Sequence, residues 1–191
     1  AVGTNSSQEN TTGTDNTAVG HQSLFTNETG SNNVAIGKNS LYFNTASNNT
    51  AVGQLAMTNT TTGANNTAVG QNAFTSNTSG SQSVAIGVNS LDANTTGANN
   101  VAVGYHALSK NTTANENVAV GRCSMFENTT GTFNVAVGNY SLDSNTTGAC
   151  NVAIGYLASC TMTDGLRNVG IGRAALQSST TPNDNTAVGQ A

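Results

Sequence analysis

Residues 83–99 read Ser83-Val84-Ala85-Ile86-Gly87-Val88-Asn89-Ser90-Leu91-Asp92-Ala93-Asn94-Thr95-Thr96-Gly97-Ala98-Asn99, and the chain then starts over with Asn100-Val101-Ala102-Val103-Gly104. The tripeptide Ala-Val-Gly or a close variant ends at Gly3, Gly20, Gly37, Gly53, Gly70, Gly87, Gly104, Gly121, Gly138, Gly155, Gly172 and Gly189. The spacing is 17 residues throughout, except for 16 between Gly37 and Gly53. A fixed period of this length marks supersecondary units that stack on one another. Residues 1–191 are therefore expected to form a single repeat array. Its one deletion falls between Asn44 and Thr50, in an expected turn, where a lost residue is tolerated. The array starts and stops in mid-repeat, as expected of an uncapped segment of a longer fibre.

The remaining columns follow from that frame. Ten residues after the first glycine comes a second: Gly13, Gly30, Gly63, Gly80, Gly97, Gly131, Gly148 and Gly165, with Ser47, Ala114 and Pro182 in the other repeats. Glycine and proline in one column predict a turn. Before the first glycine, a Val/Ile column and a Thr/Val column flank alanine, with Gly170 the exception. This alternation predicts a short strand of period 2, one face Val/Ile and the other Ala/Gly. Four residues after the first glycine a larger apolar side chain recurs, broken by Ser7 and Ser159, and a second short strand is expected there.

The expected core is Val19, Leu24, Ile36, Leu41, Val52, Val69, Phe74, Ile86, Leu91, Val103, Leu108, Val120, Val137, Leu142, Ile154, Ile171 and Leu176. The expected fold is all-β: a parallel β-solenoid or β-roll of about eleven coils stacked at ~4.8 Å, a rod roughly 50 Å long. Each coil buries little, so neighbouring coils must supply the rest of the core. The small Ala/Gly face offers a surface that a second chain can approach closely.

Composition excludes several classes. Only 14 of the 191 residues are charged, the net charge is -4, and Asn (30), Thr (30), Ser (18) and Gly (21) make up about half the chain. Five cations spread along an acidic chain give no nucleic-acid footprint. No run of apolar residues is long enough to span a membrane as a helix. Asn, Thr, Ser and Gly are poor helix-interior residues, which argues against a helical bundle. Sparse charge suits stacking, because like charges repeated along a ladder repel.

Repeats such as Asn33-Val34-Ala35-Ile36-Gly37 and Ser83-Val84-Ala85-Ile86-Gly87 resemble the head repeats of trimeric autotransporter adhesins. The longer form, from Asn66-Thr67-Ala68-Val69-Gly70 through Asn77-Thr78-Ser79-Gly80, is similar to repeat arrays of phage and large-virus tail-fibre-like proteins. The resemblance covers the whole chain. It implies a trimer of left-handed parallel β-rolls, an extracellular location on a cell or virion, and a role in attachment.

The residues that carry chemistry are scattered. His21 and His106 both follow the first glycine column, on a variable edge shared with Lys38, Gln54, Gln71, Tyr105, Arg122, Tyr156 and Arg173. Asp92 and Asp143 share a column but lie three coils apart, about 14 Å, too far for a glycosidase pair. Acids are too sparse for a calcium-binding solenoid. Cys123, Cys150 and Cys160 are expected as free thiols, or as one bond that would need a bend between strands. No catalytic residue, metal ligand or cofactor site is expected.

Asn-x-Ser/Thr acceptors recur in one column at Asn10, Asn27, Asn77, Asn94, Asn111, Asn128 and Asn145, with Asn59 displaced by one position. Others lie off the column at Asn5, Asn48, Asn65 and Asn139. Two readings stand: an asparagine ladder within stacked turns, or a row of N-glycans coating an extracellular fibre. The expected function is a non-catalytic structural segment of a surface fibre. It would be homo-oligomeric, with a cell-surface or glycan receptor and no nucleic-acid partner. The alternatives are an ice-binding solenoid, from the Thr column at Thr17, Thr50, Thr67 and Thr186, and a carbohydrate-cleaving tailspike.

Overall fold

A computed structural model describes residues 1–190. Eleven strands follow one another: β1 (Thr17–Val19), β2 (Val34–Ile36), β3 (Thr50–Val52), β4 (Thr67–Val69), β5 (Val84–Ile86), β6 (Val101–Val103), β7 (Val118–Val120), β8 (Val135–Val137), β9 (Val152–Ile154), β10 (Val169–Ile171) and β11 (Thr186–Val188). They form one parallel sheet in sequence order. The register is that of the repeat, with Val84↔Val101, Ala85↔Ala102 and Ile86↔Val103. The shortened repeat keeps it, pairing Val34 with Thr50. The chain is a parallel β-solenoid.

The strand faces are the reverse of the expected ones. The alanines point inward: Ala35, Ala51, Ala68, Ala85, Ala102, Ala119, Ala136 and Ala153 are fully buried. Val19, Ile36, Val69, Ile86, Val137, Ile154 and Ile171 are 36–40% exposed. Val52, Val103 and Val120 are half-buried. The physical reason is space. The strand is opposed by the rest of its own short coil, and Ser124 Oγ reaches across to donate to Ala136 O at 3.0 Å. Between two backbones that close, a Cβ fits and a branched side chain does not. The expected close approach of another chain to the Ala/Gly face is excluded for the same reason.

The larger apolar column does fill the interior: Leu24, Leu41, Phe74, Leu91, Leu108 and Leu142 are fully buried, and Leu176 is half-buried. It is not a second strand. From the first glycine onward φ is positive at every second residue, as at Gly87 (129°), Asn89 (53°) and Leu91 (53°). N–H groups still alternate between neighbouring coils: Asn89 N donates to Gln71 O and Leu91 N to Ala107 O, each at 3.0 Å. The ladder thus runs past the strand without extended backbone. Positive φ is costly for a β-branched residue. Of the 33 non-glycine residues with positive φ, none is Val, Ile or Thr. That rule explains why this core column holds Leu, Met and Phe while Val and Ile sit in the strands.

The two glycine columns have different causes. Gly87 and its equivalents have φ between 124° and 142°, which side chains rarely adopt. At Gly97 φ is ordinary and the limit is room, since a Cβ would run into Ala114 O of the next coil. Because φ there imposes no backbone penalty, the second column can still hold Ala114 and Pro182 where the neighbouring coil gives way. The deletion shifts its occupant to Ala46, not Ser47: Asn33 and Asn44 donate to Ala46 O at 2.8 and 2.7 Å. Ser47 Oγ instead receives the Ser31 N–H.

Candidate functional site

Two asparagine ladders line the interior beside the turn. In one, Asn111 Nδ2 donates to Asn94 Oδ1 at 2.7 Å and to Ala114 O at 3.1 Å, and Asn111 Oδ1 accepts from Asn128. In the other, Asn117 Nδ2 donates to Gly131 O at 2.8 Å, and Asn100 Oδ1 accepts the Asn117 N–H. Outside them a threonine row donates from coil to coil, as Thr95 Oγ1 does to Thr112 O at 3.0 Å. Each such bond adds about 1 kcal/mol net, but an orphaned buried partner costs more.

This arrangement corrects the glycan reading at six positions. Asn27, Asn77, Asn94, Asn111, Asn128 and Asn145 are fully buried rungs of the first ladder. A sugar on Nδ2 would replace a bonded proton and need space that does not exist. Asn10 and Asn59 are exposed, as are the off-column Asn5, Asn48, Asn65 and Asn139.

A Ser–His–Asp grouping does form, in an order unsuited to nucleophilic catalysis. Ser109 Oγ donates to Asp92 Oδ1, and His106 Nδ1 lies 3.4 Å from the same hydroxyl. His106 Nε2 faces Asn89 Nδ2 at 3.3 Å. The carboxylate therefore holds the serine rather than orienting the histidine, and Ser109 is buried. Asp92 and Asp143 are separated in their column by Ser109 and Phe126. Burial, then the charge of Glu127, pushes the Asp143 carboxyl up from its ordinary range, against the opposing pull of Lys110. All three cysteines are free. Burial raises the thiols of Cys123 and Cys160, which lowers the fraction present as thiolate at neutral pH. Among the described residues, no three His, Cys, Asp or Glu side chains gather as a metal site, and no helix is long and apolar enough to cross a membrane.

Two surface features run the length of the rod. One is the outer face of the sheet, the Thr/Val and Val/Ile columns described above. The other is the edge after the first glycine column, where His21, Lys38, Tyr105, Arg122, Tyr156 and Arg173 are exposed. Sequence reasoning read that edge as solvated and variable, and it missed the outward direction of the Val/Ile column. The near-invariance of alanine beside a freely varying Thr/Val column was the available signal. No protein-family model, curated protein or solved structure matches this chain, so its own geometry carries the functional argument.

Proposed function

We propose that this chain is a non-catalytic structural segment of an extracellular fibre, on a cell or a virion, serving attachment. It would work as a homo-oligomer joined through the outer face of the sheet. The observation that carries this reading is the stripe of half-exposed Val and Ile running along all eleven strands. Ten strand spacings make it about 48 Å long. A straight apolar row with a one-coil repeat is matched along its length by a surface with the same repeat, and a second copy has one. Exposed contiguous apolar surface of this kind marks association.

Sedimentation equilibrium tests the reading. The native chain should sediment as a multiple of 19.2 kDa, and Ile86→Lys with Val103→Lys should sediment as a folded monomer. A monomeric native chain would overturn it. An ice-binding solenoid would use the same face, but its Thr row is broken by Val34 and by Val from Val84 to Val169. Thermal hysteresis in the monomeric variant's parent would favour that alternative.

A further inference from the structure

The edge after the first glycine column is charged in one sense only. It carries Lys38, Arg122 and Arg173, three of the chain's five cations, together with His21, and none of its nine acids. On a molecule of net charge -4 this is segregation, not average composition. The other two cations are neutralised locally, Lys110 by Glu127 at 2.7 Å and Arg167 by Asp184 at 2.6 Å. Arg122 and Arg173 form no ion pair among the described residues.

Exposed aromatic rings share the edge. Tyr105 and Tyr156 are 49% and 47% exposed. The Arg122 guanidinium lies 5.4 Å from the Tyr140 ring centre and 6.0 Å from that of Tyr105. A guanidinium lodged between rings is positioned at little entropic cost, and its planar fork suits carboxylate or sulfate. Along the rod the order is Tyr105, Arg122, Asn139, Tyr156, Arg173, one residue per coil. Arginine and tyrosine each return after three coils, about 14 Å.

We propose that this edge binds an acidic polysaccharide laid along the rod. Its carboxylate or sulfate groups would meet Arg122 and Arg173, and its apolar sugar faces would stack on Tyr105 and Tyr156. The proposal rests on the attachment role above and supplies its partner.

Heparin, polygalacturonate and neutral dextran, titrated separately into the full chain at low and high salt, test it. Heparin and polygalacturonate stand for the sulfated and the carboxylated source. Binding of either acidic polymer, weakened by salt and absent with dextran, is expected. The double variant Arg122→Ala/Arg173→Ala should bind about tenfold or more weakly, since charge-assisted bonds are lost. Tyr105→Ala/Tyr156→Ala should weaken binding too, and Lys110→Ala, off the edge, should not. No binding by the native chain, or equal binding by the arginine variant, overturns the proposal. Sedimentation of the same samples separates the two readings. An oligomer that binds neither polymer sinks only the glycan edge, whereas a monomer that binds sinks only the assembly. An arginine variant that falls apart into monomers assigns the edge to contacts between copies and also overturns the proposal.

Discussion

Leu142–Asn145 and Ser159–Met162 occupy equivalent stretches of neighbouring coils and solve the same packing problem in opposite ways. In the first, Leu142 supplies apolar bulk and Asn145 supplies the rung, donating to Asn128 at 2.8 Å and to Gly148 O at 3.1 Å. In the second, polarity is exchanged: Ser159 stands in the leucine column and Met162 in the asparagine column, both buried. Gly170 replaces the strand alanine there, and a Cβ would lie 2.7 Å from Ser159 Oγ. The exchange leaves Asn145 Oδ1 and Ser159 Oγ buried without partners. The interior is thus one shared volume, which tolerates bulk moved by three residues, whereas the ladder needs a polar group in its own column: Thr60 still accepts from Asn77, but Met162 offers no N–H to Asn145 Oδ1.

The difference can be sharpened by moving each feature between the two coils. Leu108→Ala, in a regular coil, should have the largest effect, about 2–5 kcal/mol lost in urea unfolding. Asn111→Met copies Met162 into an intact ladder and orphans Asn94 Oδ1, so a loss of about 1–3 kcal/mol is expected. The reverse change, Ser159→Leu with Met162→Asn and Gly170→Ala, should raise stability by a similar amount. No gain there would break the comparison. At Leu108 itself, methionine should be tolerated better than isoleucine by about 1–2 kcal/mol, because only isoleucine is β-branched at positive φ.

Asp143 gives the smallest effect and a sign that can be checked. Its folded carboxyl holds its proton to higher pH than the unfolded one, burial being the main cause. Stability is therefore lost as pH rises through the carboxylate range into the raised value, and stays lost above it. Asp143→Asn should be more stable than the parent at neutral pH by less than about 1 kcal/mol, given partial exposure. The advantage should vanish in acid, as read from urea midpoints at both pH values.

The period, the parallel register and the turn deletion were all legible in the sequence, because glycines at fixed spacing leave one way to stack. The strand faces were not. Val84-Ala85-Ile86 is apolar on both sides, and alternation alone cannot say which side is inward. What settles it is the width of the coil, a property of the closed turn rather than of the strand. The second strand expected around Leu91 failed for a related reason: hydrophobicity marked a buried residue but said nothing about φ. The absence of Val and Ile from that column was the overlooked clue. The Asn-x-Thr column shows the limit for the site. Asn111-Thr112-Thr113 reads equally as glycan acceptor and as ladder rung, and only burial separates them. The cationic edge was visible as residues but not as a segregated surface until the coils were stacked.

The central claim is that the Val/Ile stripe is a contact between copies. Cryo-EM of the assembled protein tests it most directly. The account predicts rods side by side, each showing an unbroken parallel ladder, with Ile86, Val103, Val120 and Val137 covered by the same residues of a neighbouring copy. Single rods with that face open to solvent would contradict it.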